Sequence, residues 1–223
     1  MKPGTEALAQ LPLLDRCNAE VLTRLNETAD LARLGPDEDL FRAGEVLSEL
    51  NILLIGQVAA VNAQSGRNQN LLDVLQPVRP LYLGAALLGV PVPAGARTLT
   101  TVRLIVLPVR ELQAVLRDAP AIAQRFLDYA LEEAHALTQE IYALKLRTSA
   151  QRLAGYLLGL VKDEELSPAR FVLPFEKRLL AARIGCSQEN LSRAFAALRR
   201  IGVETQRGIV VVRDVPALRV FSG

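Results

Sequence analysis

Residues 121–146 contain neither glycine nor proline, although the chain has 14 glycines and 12 prolines among its 223 residues. Apolar side chains recur through this interval at alternating steps of four and three: Ala123, Leu127, Ala130, Ala134, Leu137, Ile141 and Leu144. This spacing predicts one long helix with an apolar seam, the pattern of a two-stranded coiled coil. We predict that Asp118 caps the helix and that Pro120 lies in its first turn.

The apolar seam has two interpretations. The helix either packs on its own domain or joins a second copy of the chain. The regular steps favour the second interpretation, a homodimer, and the small alanines imply that the two helix backbones approach closely.

The chain before the long helix is predicted to form a helical segment and then a β-rich domain. Residues 5–28 carry leucines at helical spacing, with Asp15 and Asn18 as candidate caps. Between residues 30 and 110, short apolar runs are separated by turn residues, for example at 64–67. Many short strands at this spacing predict a β-sandwich or barrel.

The chain after the long helix shows a different order of elements. It is predicted to form a helix, a strand, two helices and a hairpin, in that order: 150–161, 170–173, 174–184, 187–201 and 202–213. The first helix is predicted to end in an acidic loop at 162–165. Two helices joined by the short turn Gly185-Cys186 and followed by a hairpin are typical of a winged helix-turn-helix.

The charges of the two parts differ in sign. Residues 1–146 hold 13 Lys and Arg against 17 Asp and Glu, whereas residues 147–223 hold 13 against 7. The basic C-terminal part therefore favours a polyanion as its partner.

Composition excludes several other classes. No apolar run is long enough for a membrane span, and no signal peptide is evident, so we expect a cytoplasmic protein with no membrane partner. The two cysteines, Cys17 and Cys186, cannot form a disulfide framework or a four-thiolate iron–sulfur cluster. We find no base–nucleophile pair, no phosphate-binding glycine loop and no metal-ligand spacing, so we predict that the protein is not an enzyme.

The helix that Ser187 is placed to cap has two different sides. One side is predicted to face the core: Leu191, Ala194, Phe195, Leu198 and Ile201. The other side carries Gln188, Glu189, Ser192, Arg193, Ala196 and Arg199. Arginine can bond guanine O6 and N7, glutamate can accept from cytosine N4, and serine can bond bases or phosphate. We therefore predict that Gln188, Glu189, Ser192 and Arg193 read bases of double-stranded DNA.

Basic residues around this helix are predicted to contact phosphates: Lys177, Arg178, Arg183, Arg199, Arg200 and Arg207. They would supply salt-sensitive affinity and no sequence choice. The alternative is a solvated amphipathic helix with an ordinary Glu189–Arg193 ion pair. The turn, the cap, the hairpin and the basic surroundings favour DNA binding.

The motif Ala182-x-x-Gly185-Cys186-Ser187-x-Glu189-x-x-Ser192-Arg193, with Leu198 and Gly202 after it, resembles the CRP/FNR family of bacterial transcription regulators. In the β-rich part, Phe41-x-x-Gly44-Glu45 and Gly56 match the family's glycine turns. The resemblance implies an α+β fold: a sensory antiparallel β-roll (1–117), a dimerisation helix (118–146) and a DNA-binding winged helix-turn-helix (147–223).

The recognition motif is similar to that of the FNR-like branch, which implies a TTGAT-type half-site. Gln188 stands where the cAMP-receptor branch has an arginine. The stretch from 146 to 189 is also similar to denitrification regulators of the DNR/NNR type. RNA polymerase is the further partner that the resemblance implies.

The family's cyclic-nucleotide motif is only partly present. Its G-E-x-x-L becomes Gly84-Ala85-Ala86-Leu87-Leu88, so the glutamate that would accept a ribose hydroxyl is missing. Arg97-Thr98 matches the family's phosphate-binding pair. We take Gly84, Ala85, Arg97 and Thr98 as the candidate effector pocket and expect a small effector other than cAMP.

A haem that senses a nitrogen-oxide or redox signal is left open, with His135 or Cys17 as a candidate ligand. An exposed or interface His135 and a packed Cys17 are the ordinary interpretations, and Cys186 is predicted to pack in the turn. The predicted function is a homodimeric DNA-binding regulator. The alternatives are a ligand- or haem-sensing module whose winged helix binds a protein, and a cAMP-responsive regulator.

Overall fold

The computed structural model describes residues 1–15, 17–62, 71–161, 167–174, 176–206 and 208–223. They form two compact units, residues 1–135 and residues 136–223. The predicted turn at 64–67, the predicted loop at 162–165 and Arg207 lie outside the described residues. The three-part division of the chain stays a prediction.

The first unit begins with two short helices, α1 (Thr5–Ala9) and α2 (Ala19–Thr28). The prediction of a single helical segment over 5–28 is wrong, because Pro12 cannot donate a helical hydrogen bond and the chain turns after α1. Asn18 caps α2 as predicted, accepting from the backbone N–H of Val21 at 2.9 Å.

The β-rich region then forms eight strands and a short helix in the described residues. In chain order they are β1 (Asp30–Leu34), β2 (Asp39–Phe41), β3 (Glu49–Ile55), β4 (Val58–Val61), β5 (Leu71–Leu75), β6 (Arg79–Pro80), α3 (Leu83–Leu88), β7 (Gly95–Thr98) and β8 (Val102–Pro108). They pair as two antiparallel sheets, β1-β8-β3-β6 and β2-β7-β4-β5. The predicted antiparallel roll is confirmed.

The core of the roll lies where β3 and β8 pair. Leu50, Ile52 and Leu53 of β3 and Leu104 and Ile105 of β8 are at most 2% exposed. Because successive strand residues point to opposite faces, the burial of neighbouring residues means that both faces of β3 and β8 are covered.

Two helices follow the roll, α4 (Val109–Asp118) and α5 (Pro120–Leu146). The 27-residue α5 matches the predicted long helix. Its predicted cap is wrong, since Asp118 is the last residue of α4 and its carboxylate pairs with Arg24 at 2.7 Å. Ile122 and Phe126 of α5 are buried in the core of the first unit.

The second unit contains the winged helix-turn-helix. After residues 136–146 of α5 come α6 (Ser149–Leu158), β9 (Ala169–Val172), α7 (Lys177–Arg183), α8 (Gln188–Arg199), β10 (Val203–Gln206), β11 (Ile209–Val212) and α9 (Val215–Ser222). The sheet order is β10-β11-β9. The terminal helix α9 is an addition to the predicted order. Among the described residues, no helix combines the length and the apolar character needed to cross a membrane.

Candidate nucleic-acid interface

The turn between α7 and α8 is built on a glycine. Gly185 has φ +65°, which favours glycine, and a Cβ there would lie 2.6 Å from Cδ2 of Leu144. The backbone N–H groups of Gly185 and Cys186 donate to the carbonyls of Ala182 and Ala181, both at 2.9 Å. These bonds satisfy the end of α7 and direct the chain into α8.

Ser187 is the N-cap of α8, as predicted. Its hydroxyl accepts from the backbone N–H of Asn190 at 3.2 Å. Four of the side chains predicted to face the core are buried: Leu191, Ala194, Phe195 and Leu198. Ile201 lies beyond the end of α8 and is half-buried.

The opposite side of α8 forms what we call the recognition face, namely Gln188, Glu189, Ser192 and Arg193. All four residues are exposed. Nη2 of Arg193 lies 2.5 Å from Oε1 of Glu189, with both side chains more than 70% exposed. Ser192 Oγ donates to the carbonyl of Gln188 at 3.1 Å. The structure thus brings the four predicted base-reading residues together, and their role in reading bases stays a prediction.

The predicted phosphate contacts fall into three groups. Lys177, Arg178, Arg199 and Arg200 are exposed. Arg183 is half-buried and pairs with Glu140 of α5 at 3.2 Å, so it already has a carboxylate partner. Arg207 lies outside the described residues.

Cys186 is half-buried in the turn, in agreement with a packing role. Burial raises the pKa of its thiol, although the nearby Arg152 charge and a hydrogen bond with Ser149 oppose the shift. In the first unit, burial and the charge of Asp15 raise the pKa of Cys17 to about 11. Both thiols are therefore neutral at physiological pH.

The predicted dimer seam is exposed along α5: Leu127, Ala130, Ala134, Leu137, Ile141 and Leu144. The four large residues among them are 51–58% exposed. Leu131 and Tyr142 of α5 are also apolar and more than half exposed, but the strict steps of four and three leave them out of the predicted seam.

The two polar side chains of the candidate effector pocket, those of Arg97 and Thr98, already have partners in the first unit. Nε of Arg97 donates to Oδ1 of Asp39 on β2 at 2.6 Å, and this pair lowers the pKa of the Asp39 carboxyl. Thr98 is fully buried, and its hydroxyl donates to the carbonyl of Gly35 at 2.6 Å and accepts from the N–H of Glu38 at 2.9 Å. Successive strand residues point to opposite sides, so Arg97 and Thr98 do not face one pocket.

The remaining two residues of that candidate pocket lie on α3. Gly84 is exposed, and Ala85 packs against the core of the first unit. Neither supplies a side-chain acceptor for a ribose hydroxyl. The effector role of all four residues stays a prediction.

The residues around His135 do not fit a haem. His135 is exposed, and the open groove beside it is lined by Arg125, Asp128, Leu131 and Glu132. Haem needs a mostly apolar enclosure, which these charged side chains do not provide. Among the described residues, no group of three or more His, Cys, Asp or Glu is arranged to hold a metal ion.

A roll of two antiparallel sheets, a long helix with an exposed apolar seam and a winged helix-turn-helix define a class of two-domain regulatory proteins. Family models agree with this division. Residues 31–119 match the cyclic nucleotide-binding domain, and residues 151–221 match the Crp-like helix-turn-helix domain. This pair of domains, which covers most of the chain, places the protein in the CRP/FNR family of regulators.

Three known proteins are similar to this chain over different lengths. The transcriptional activator protein FnrL of Cereibacter sphaeroides is 26% identical over 123 residues, 51% of this chain and 50% of that protein. The matched region thus spans about half the length of this curated relative. A Ruegeria pomeroyi structure, provisionally described as a cyclic nucleotide binding protein, is 25% identical, with a TM-score of 0.65 and 98% of both chains covered. FixK2 of Bradyrhizobium japonicum, at 18% identity and TM-score 0.71, shares the fold over 88% of this chain and 98% of its own.

Proposed function

We propose that the protein is a homodimeric transcription regulator that binds double-stranded DNA in a sequence-specific manner. The observation that carries this proposal is the recognition face, where Gln188, Glu189, Ser192 and Arg193 are exposed above a buried apolar stripe. A helix with this arrangement can enter the major groove while its other side stays packed in the domain.

The chemistry of the recognition face suits base reading. When α8 enters the groove, Arg193 exchanges its ion pair with Glu189 for guanine O6 and N7. Glu189 is then available to accept from cytosine N4, and Ser192 can turn its hydroxyl from the Gln188 carbonyl to a base or phosphate. Because the Glu189–Arg193 pair is exposed, breaking it costs under about 1 kcal/mol.

Phosphate binding is supported by the charge of the same region. Residues 147–223 carry 13 basic against 7 acidic residues. Lys177 and Arg178 at the start of α7, and Arg199 and Arg200 at the end of α8, are exposed. Because these residues lie on the two helices of the helix-turn-helix, we propose that they contact the DNA backbone on either side of the groove.

Dimerisation is supported by the exposed seam of α5. Large apolar side chains that are half exposed on a single chain lose that exposure when two helices pair. A two-fold dimer presents two copies of α8, so we expect a near-palindromic operator with half-sites about one helical turn apart. The E-x-x-S-R pattern of the recognition face suggests TTGAT-type half-sites of the FNR-like branch. RNA polymerase is the proposed partner on the DNA.

The first unit is proposed to respond to a small effector other than cAMP. Ala85 offers no acceptor to a ribose, and Arg97 and Thr98 are bonded to Asp39 and to the 35–38 turn. The match to the cyclic nucleotide-binding domain over 31–119 keeps a cyclic nucleotide as the second candidate.

The direct test of DNA binding is fluorescence anisotropy with two labelled duplexes of equal length and composition. One contains a TTGAT palindrome and the other its scrambled sequence. We expect the palindrome to bind about 10³-fold more tightly or better, and both affinities to fall steeply with salt. Equal affinity for the two duplexes would contradict sequence-specific reading. An absence of duplex binding at low salt would instead favour a winged helix that binds protein.

The effector proposal has its own test, which is isothermal titration of the purified dimer with cAMP. We expect no heat of binding at millimolar nucleotide. Saturable binding that Arg97→Gln removes would overturn the proposal and assign Arg97 to the phosphate.

A further inference from the structure

The turn between α7 and α8 is held by one side chain from α6. Arg152 donates from Nε to the carbonyl of Ile184 at 2.8 Å and from Nη2 to the carbonyl of Gly185 at 3.0 Å. Its Nη1 donates to the carbonyl of Arg147 at 2.7 Å. Arg152 is half-buried, and its bond to the Ile184 carbonyl is partly shielded from water, whereas the bonds to Gly185 and Arg147 are exposed.

The three carbonyls lie at the C-terminal ends of helices, where backbone carbonyls need hydrogen-bond donors. Ile184 and Gly185 close α7, and Arg147 follows the last residue of α5. Carbonyls at the C-terminal end of a helix lack intrahelical partners and carry partial negative charge. A planar guanidinium can bond all three at once, whereas the single ammonium of lysine lacks this fixed fork.

Two further contacts join the same turn to the end of α5, all within the second unit. Arg183 of α7 pairs with Glu140 at 3.2 Å. Leu144 approaches Gly185 so closely that a Cβ there would lie 2.6 Å from its Cδ2. The α7–α8 turn is thus attached to residues 140–147 at three points, one of which is made by the Arg152 side chain.

We propose that Arg152 is a positioning residue for DNA reading. It fixes the α7–α8 turn against the end of α5 and so fixes the direction in which the recognition face projects. Arg152 acts through the backbone of Ile184 and Gly185, which lead directly into the Ser187 cap, and contacts no base itself. This inference rests on the proposed function, and it adds a residue that the sequence pattern did not single out.

The test replaces Arg152 by lysine, which keeps the charge and removes the fork. The matched control is Arg170→Lys, at an exposed position on β9 of the same unit. We expect Arg152→Lys to lower the preference for the palindrome over the scrambled duplex about tenfold or more, because base reading tolerates little displacement of the reading groups. The affinity for the scrambled duplex and its salt slope should stay unchanged, since the charge is kept. Arg170→Lys should leave the preference for the palindrome, the affinity for the scrambled duplex and the salt slope unchanged.

The other outcomes overturn the proposal. If Arg152→Lys has a lower melting temperature but an unchanged preference for the palindrome over the scrambled duplex, Arg152 is merely structural. An equal loss on both duplexes with a smaller salt slope means that Arg152 contacts phosphate. A wild-type protein with no preference contradicts the proposed function instead.

A second measurement needs no variant and no DNA. In ¹⁵N spectra of the wild-type protein, the Nε–H of Arg152 should exchange slowly with water at neutral pH, because it is bonded to the Ile184 carbonyl. Arg170 serves as the exposed reference. If the Arg152 signal exchanges as fast as that of Arg170, the hydrogen bonds from Arg152 to the turn are absent and the proposal is overturned.

Discussion

The recognition face of α8 and strand β7 both carry polar residues that match a family's binding motif, yet the two regions use those residues differently. On α8, Glu189 and Arg193 are exposed and bond each other four residues apart on one helix. On β7, Arg97 and Thr98 bond residues more than 50 positions away, and Thr98 is fully buried. The side chains of the recognition face are therefore available to a ligand, whereas those of Arg97 and Thr98 already bond other parts of the fold; the ligand role of both motifs stays a prediction.

The largest expected effect concerns the exposed seam, a third region whose side chains the fold leaves on the surface. Leu137→Asp places a carboxylate in the proposed helix pair, where a buried charge has no partner. We expect sedimentation to show a monomer, and operator affinity to fall by at least about 100-fold because one recognition helix remains. Leu88→Asp is the matched control, since Leu88 is 76% exposed on α3 and is not a residue of the predicted seam. A dimer mass for Leu137→Asp would move the interface elsewhere.

The next effect tests the recognition face. Arg193→Ala should remove discrimination at one base pair, at a cost of about 1–3 kcal/mol of binding free energy, while the melting temperature stays near wild type. Arg213→Ala is the control, because Arg213 is also an exposed arginine paired with a glutamate, Glu204, at 2.8 Å. The assignment of Arg193 fails if competition with single-base variants of the operator gives the same ranking for wild type and Arg193→Ala.

For β7, we expect substitutions to lower the stability of the fold. Thr98→Val keeps the shape but removes the hydroxyl that bonds the Gly35 carbonyl and the Glu38 N–H. Leaving these backbone groups without that partner should lower the free energy of unfolding by about 1–3 kcal/mol in urea titrations. Thr100→Val should cost less, since Thr100 is exposed and water can replace its bond to the Gln57 N–H. Equal stability of wild type and Thr98→Val would mean that the hydroxyl bonds of Thr98 do not stabilise the fold.

The smallest effect depends on pH. Arg97 lowers the pKa of Asp39 in the folded protein, so the pair adds stability above the ordinary aspartate value, about 3.9, and loses it as the pH falls through the lowered folded value. Arg97→Gln should therefore reduce the free energy of unfolding at pH 7 by under about 1 kcal/mol, since the pair is one-third exposed. The difference between wild type and variant should shrink below about pH 4. A difference that persists unchanged at pH 2 would mean that the ion pair is not its source.

Local patterns in the sequence predicted α8 well. Its cap, its buried stripe and its exposed face all follow from residues within one helix, so periodicity alone places them. The long α5 and the antiparallel roll were predicted for the same reason, since the interval without breakers and the short runs between turns are local signals. The helix α9 follows the same rules, with Asp214 capping it, but was not recognised in the short segment after the hairpin.

The sequence could not show contacts between distant segments. The residues around Arg152 do not indicate that it bonds Ile184 and Gly185. Every residue has a backbone carbonyl, so residue types alone cannot identify the acceptors. In the same way, the Arg97–Thr98 motif gave no sign of Asp39 or of the 35–38 turn. Asp118 looked like a cap for α5 only because α4 was not predicted to reach it.

The most direct test of the account is a selection of binding sites from a random duplex library by the intact protein. We predict an enriched motif with two-fold symmetry, whose half-sites lie about one helical turn apart and whose preference at one base pair of each half-site is lost when Arg193 is replaced. A library without enrichment, or a single motif without two-fold symmetry, would contradict the claim that a dimer presents two α8 helices to DNA.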